Sequence, residues 1–170
     1  MPTESRMIEL RDAIVADFQA QLPEMREIEA HFGPFDLDEL KAFSVRAPAV
    51  RVSLLGGPLT PVSTREQDVA LQCAAYIITK GAAQTKADVA ALRIAEQLVA
   101  RLAAKSFTAK SLPATELRID NHYSGAVRET GSIALFSVSW QTVVRVGVNA
   151  AYERIVAQKA RFQHDEESAP

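Results

Sequence analysis

The sequence predicts an α+β domain: a mostly antiparallel sheet with a long β-hairpin, packed against two main helices. Three observations carry this. Residues 132–146 alternate without a break, Ala134, Phe136, Val138, Trp140, Thr142 and Val144 on one face, Leu135, Ser137, Ser139, Gln141, Val143 and Arg145 on the other. Period-two alternation rich in β-branched and aromatic residues marks a strand with one buried face. Residues 68–80 alternate as well. Two stretches of helical periodicity, 5–22 and 85–105, interrupt the strands, and antiparallel strands with helices on one face define the α+β class.

Each element follows from local pattern. In 5–22, Met7, Leu10, Ile14, Phe18 and Leu22 recur at three- and four-residue steps, and Glu9, Arg11, Asp12 and Asp17 take the other face. Thr3 or Ser5 can cap this helix and Pro23 ends it. Residues 24–44 carry no firm pattern; 36–41 could make one helical turn, with Leu37, Leu40 and Phe43 sealing a core edge. A strand is expected within 45–55, with Pro48 at its start, where a missing N–H does least harm. Gly56-Gly57-Pro58 reads as a turn, and 57–67 as a polar loop.

In 68–80 both faces are apolar: Val69, Leu71, Cys73, Ala75 and Ile77 on one side, Ala70, Ala74, Tyr76 and Ile78 on the other. That predicts a central strand covered twice. Thr85-Lys-Ala-Asp88 resembles a capping box. The helix behind it carries a stripe of Val89, Leu92, Ala95, Val99 and Leu102, widened by Ala91, Ile94 and Leu98. Residues 117–123 form a strand, 124–131 a polar connector, and the long strand follows as the second arm of the hairpin. At about 3.3 Å per residue that strand runs roughly 45 Å, so its far end is expected to reach a partner. Residues 1–148 make one domain; 149–170 are expected to form a short helix and a loose polar tail.

The chain has 170 residues and a formal net charge of −2. Residues 1–40 hold ten acids and three bases; residues 41–149 hold seven acids and thirteen bases. Glu9, Asp12 and Asp17 could therefore form an acidic patch that pairs with Arg118, Arg128 and Arg145 of a neighbouring copy. Trp140 is expected in the core, or else as an anchor between subunits. A single cysteine, Cys73, rules out an intrachain disulfide and sits where a buried small hydrophobe belongs. The N-terminus lacks a signal-peptide pattern and no run is long enough to span a membrane, so a cytoplasmic protein is expected.

No pattern of catalytic, metal or cofactor chemistry emerges. His31, His122 and His164 lack metal-ligand spacing. Leu55-Gly56-Gly57-Pro58 lacks the lysine and following helix of a phosphate loop. Glu116 and Asp120, four apart on a strand, read as solvated edge charges rather than a hydrolytic pair. Neither a single-strand nor a duplex DNA-reading motif is present.

The Met7-Ile-Glu-Leu-Arg-Asp-Ala-Ile helix, the Arg46-Ala-Pro-Ala-Val-Arg-Val-Ser-Leu-Leu-Gly segment and the later alanine-rich helix flanked by strands resemble a family of short tail-assembly proteins of Mu-like phages and prophages. The element order over 5–148 resembles the tail-terminator fold of long-tailed phages. The resemblance implies a virion protein of the tail–neck junction, assembled in the host cytoplasm. It implies a ring, typically of six copies, that caps the tail-tube protein, stops its polymerisation and offers a surface to head-completion and connector proteins. DNA would pass through without being read. The resemblance implies no enzyme activity and no cofactor. The alternatives are another head–tail joining protein, or a small cytoplasmic enzyme. The 57–67 and 124–131 loops are the expected docking surfaces, since loops on a rigid scaffold carry recognition.

Overall fold

The computed structural model describes residues 5–35, 38, 46–122 and 132–147. Helix α1 spans Arg6–Gln21, β1 Glu27–Ala30, β2 Ala49–Gly56, β3 Leu59–Pro61 and β4 Glu66–Lys80. Helix α2 spans Ala87–Ala104, β5 Thr115–Asn121 and β6 Ile133–Gly147. The α+β class and the mostly antiparallel sheet are as the alternation predicts. The sheet runs β1-β2-β4-β6-β5, with β3 pairing β4 beside β2. Only β1 and β2 are parallel.

The backbone of the sheet is the β4–β6 ladder, which pairs all fifteen residues of each strand from Glu66↔Gly147 to Lys80↔Ile133. The length of β6 is thus matched inside the subunit, strand for strand. Its far end is paired within its own sheet. On its other side β6 pairs β5, and the segment before β5 continues that edge: Leu112 N–H donates to the Val143 carbonyl at 2.9 Å and Arg145 N–H to the Lys110 carbonyl at 3.1 Å. The connector expected over 124–131, the helical turn expected over 36–41 and the elements expected over 149–170 lie outside the described residues, Asp38 aside.

One face of the sheet carries the main core. Val50, Val52, Leu71, Cys73, Ala75, Ile77, Val138, Trp140 and Val144 are essentially inaccessible there, under Leu10, Ile14 and Phe18 of α1 and Ala91, Ala95, Leu98 and Leu102 of α2. Alternation decides this face, because side chains two apart share it. Ala91 and Ala95 lack bulk beyond Cβ, which lets α2 lie close on β4 and β6. The opposite face holds a smaller cluster of Phe35, Ala49, Ala74, Tyr76, Ile78 and Leu135. Strand β4 is therefore apolar on both sides, as its sequence predicts.

Several local expectations need correction. The capping box at Thr85 is one residue early: Lys86 is the N-cap of α2, with no side-chain cap bond, and Thr85 instead closes a turn with Ala82. The stripe of α2 is rotated. Ala91, Ile94, Ala95, Leu98 and Leu102 are buried, while Val89 and Leu92 are exposed. The helix offers apolar residues around much of its circumference, so periodicity alone cannot say which side meets the sheet. Ser5 does cap α1, accepting from Ile8 N–H. The unpatterned 24–44 segment contains β1, too short for alternation to stand out.

Gly56-Gly57-Pro58 is not a turn. The chain continues along β4 through a register shift, so β2 and β3 pair one after the other with the same strand. Gly56 has φ +100°, and a Cβ on Gly57 would sit 1.8 Å from the Ala70 carbonyl oxygen. A β-bulge of this kind needs glycine for both conformation and close approach. The reversal comes later, where Val62 and Ser63 N–H groups both donate to the Glu66 carbonyl.

Candidate functional surfaces

The bulge and the late reversal together build an arm. Residues 57–65 are all exposed. Residues 53–64 contain no charge at all. Leu55 is 43% exposed, Leu59 56% and Val62 45%. Apolar side chains grouped on one exposed hairpin at the sheet edge, rather than scattered singly, make this a candidate contact surface. Strand β3 ends on Pro61, whose nitrogen faces away from β4 and cannot donate to a further strand. What this edge exposes is mainly side chains. In sequence, 57–67 reads as a docking loop but as a polar one; the long uncharged run between Arg51 and Arg65 was the signal of its apolar character.

A second group lies on the sheet face opposite the helices. His122 Nε2 is 2.8 Å from Ser137 Oγ, and the His122 ring lies 6.2 Å from that of Tyr76. Asp120 accepts from Arg118 Nε at 2.8 Å and also faces its Nη2 at 2.7 Å. A serine–histidine nucleophile needs a third group to orient the imidazole. Asp120, the nearby carboxylate on this face, is taken by Arg118.

The acidic patch proposed for α1 is divided by the fold. Asp17 is turned inward and clamps the two helices: Arg101 donates to both its carboxylate oxygens at 2.7 Å and Lys105 Nζ to one at 2.6 Å. The Arg101 guanidinium, and then the Lys105 ammonium, hold the Asp17 carboxyl below its ordinary value against the opposing effect of burial. Asp12 pairs with its neighbour Arg11 at 2.7 Å, and Glu9 is exposed on the first turn. Of the arginines, Arg145 forms a two-pronged pair with Asp68 across the β4–β6 ladder at 2.9 and 3.0 Å, which lowers the Asp68 pKa. Arg118 is exposed and bound to Asp120. Arg128 lies outside the described residues. Trp140 is 1% exposed and belongs to the main core of this subunit.

The structure thus brings Asp17, Asp68 and Arg145 into pairs between elements and leaves Glu9, Asp12 and Arg118 exposed, the last two in local pairs with Arg11 and Asp120. A further network was invisible in sequence. Arg51, buried on the β2 face away from the helices, donates to Glu27 at 2.7 Å and lies 3.3 Å from Glu29, which ties β1 to β2 and lowers the Glu27 pKa. Cys73 is buried, and desolvation pushes its thiol up to about 12. Among the described residues no group of three or more histidine, cysteine or acidic side chains is placed to hold a metal ion, and no helix is long and apolar enough to cross a membrane. An open depression of about 660 Å³ lies beside the start of α2, lined by Gly81, Thr85, Asp88, Asn121, Ser132 and Phe136 among others. Comparison with known proteins finds no matching family model and no matching curated sequence.

Proposed function

We propose that this chain is a phage tail terminator, a structural ring protein that caps the tail tube, stops its polymerisation and offers a docking surface to the head and neck. The observation that carries the reading is the hairpin at 57–64, an uncharged segment with Leu59 and Val62 exposed, borne on a sheet whose central strands are fifteen residues long. A protein whose work is assembly needs a stiff scaffold with an exposed contact, since loops on a rigid frame carry recognition. The likeness of the α1, β2 and α2 sequences to Mu-like tail-assembly proteins supports the same reading. A cyclic ring joins two different surfaces of each copy. Glu9 and Asp12 are the acidic groups of α1 still exposed for that purpose, with the basic remainder of another copy as their partner.

The test is to add the purified chain to tail tubes growing from the cognate tube protein and to image the products. The expected result is a cap at one tube end and arrested growth. A Leu59→Ser, Val62→Ser variant is expected to stay folded and lose capping. Tubes that grow unhindered in the presence of the folded chain would sink the terminator reading. Binding to isolated heads instead would assign the chain to another position in the neck.

A further inference from the structure

The sheet has three margins, and the chain treats them differently. Strand β1 packs against α1, whose Gln19 amide donates to the Ile28 carbonyl at 2.8 Å. Strand β3 is three residues long and ends on Pro61. Strand β5 contains no proline, runs regularly from Arg118 after an irregularity at Glu116 (φ +52°), and among the described residues no strand pairs with the outer side of Leu117–Asp120. Ile119, in its middle, is 41% exposed. An unpaired sheet edge is a template for another strand unless something covers it.

The hydrogen bonds of β5 say which groups face outward. His122 N–H donates to the Leu135 carbonyl at 2.9 Å, in register with the Arg118↔Ser139 and Asp120↔Ser137 pairs. Alternation in an antiparallel ladder then turns the main-chain groups of Arg118 and Asp120 toward β6, and those of Leu117 and Ile119 away from it. The side chains alternate too. Arg118 and Asp120 share the face of Ser137 and Ser139, while Ile119 lies on the side of Val138, the face that elsewhere carries the helices.

From this we infer that two copies of the chain pair antiparallel through β5, Ile119 opposite Ile119, and join their sheets into one. The register follows from charge. A twofold axis perpendicular to the sheet sets residues of like parity opposite each other. Centring on Arg118 would face Arg118 with itself and Glu116 with Asp120. Centring on Asp120 would face Asp120 with itself, and centring on Leu117 would oppose Glu116 to Arg118 but needs a regular strand at Glu116, which sits at φ +52° in the irregularity between Thr115 and Arg118. Like charges directly opposite are destabilising. Centring on Ile119 places Arg118 opposite Asp120 twice and Leu117 opposite Asn121. The same centre puts Ile119 at a hydrogen-bonded pair, where its outward N–H and carbonyl meet those of its counterpart. The Arg118 and Asp120 positions become non-hydrogen-bonded pairs, in which opposed side chains lie closest. The in-strand contact of Arg118 with Asp120 is exchanged for two contacts across the axis. Backbone direction, apolar exposure and charge order agree on one register.

This contact is isologous and closes on itself, so it is distinct from the heterologous contacts of a ring and does not rest on the tail-terminator reading. Sedimentation velocity of the full chain tests it, with circular dichroism to show that each variant is folded. The wild-type chain is expected to be in monomer–dimer equilibrium. Arg118→Asp alone, or Asp120→Arg alone, is expected to weaken the dimer by about tenfold or more, because each opposes like charges twice. The double variant restores opposite charges and is expected to restore the dimer. Ile119→Pro removes an outward N–H, spares the β5–β6 ladder and is expected to leave a folded monomer. Ile119→Cys is expected to give a disulfide-linked dimer on oxidation, with buried Cys73 as a silent background. A folded wild-type chain that stays monomeric at high concentration overturns the inference. So does an oligomer, hexameric or other, that ignores all of these substitutions; a hexamer of that kind would leave the ring reading standing. A dimer that obeys them but does not cap tubes would uphold this contact and sink the terminator.

Discussion

Replacing Trp140 with alanine separates a core residue from a subunit anchor. The indole is 1% exposed and sits on β6 opposite Cys73, in the cluster that also holds Leu71, Val138 and Leu98. A buried tryptophan covers about 150–250 Å², which at ~25 cal/mol per Å² is about 4–6 kcal/mol as an upper bound. Alanine retains part of that, and the unfilled cavity adds a cost that depends on how far the neighbours relax. Large-to-small changes of this kind cost about 3–5 kcal/mol. For a chain of this length each kcal/mol lowers the midpoint by roughly 2–4 °C, so Trp140→Ala is expected to melt about 6–20 °C lower. Urea denaturation followed by far-ultraviolet circular dichroism measures the loss without relying on the missing fluorophore. The wild-type indole, the only one in the chain, is expected to resist acrylamide quenching until the protein unfolds. A loss below about 1 kcal/mol, or ready quenching in the native state, would refute the core placement and return Trp140 to an interface.

Three further outcomes follow from the packing. Gly57→Ala is expected to destabilise the chain and to disturb the β2–β3 junction, since a Cβ there meets the Ala70 carbonyl oxygen; thermal melts and exchange of the Ala70 N–H, which donates to the Pro58 carbonyl, check it. The Asp17 carboxyl titrates below its ordinary value when folded, so its contribution is present above the unfolded pKa and lost as pH falls through the folded one. Asp17→Asn is therefore expected to be less stable at neutral pH and to lose less stability on acidification than the wild type, which paired melts across the acid limb would show. The Cys73 thiol, pushed up to about 12, is expected to be inert to thiol reagents at pH 8 in the native state and to react on unfolding; prompt native labelling would contradict its burial.

The alternation of 132–146 and 68–80 determined the two longest strands and their buried faces, because a period of two leaves no other regular structure that hides one side. The spacing of Leu10, Ile14 and Phe18 determined α1 and its inward face in the same way, and composition determined that Cys73 would stand alone. Tertiary structure decided everything that depends on what lies opposite. The fold chose which flank of α2 meets the sheet, where periodicity offered more than one. Gly56-Gly57 became a bulge rather than a turn because β4 runs on beside it and can pair with both β2 and β3. Asp17 and Arg145, equally good surface charges in sequence, were drawn into ion pairs by Arg101, Lys105 and Asp68, which lie dozens of residues away along the chain. The outward turn of the Ile119 main chain was likewise set by the β6 register. Local pattern records what a segment needs to bury, but partners come from chain positions far apart, and those are fixed only when the layers close on each other.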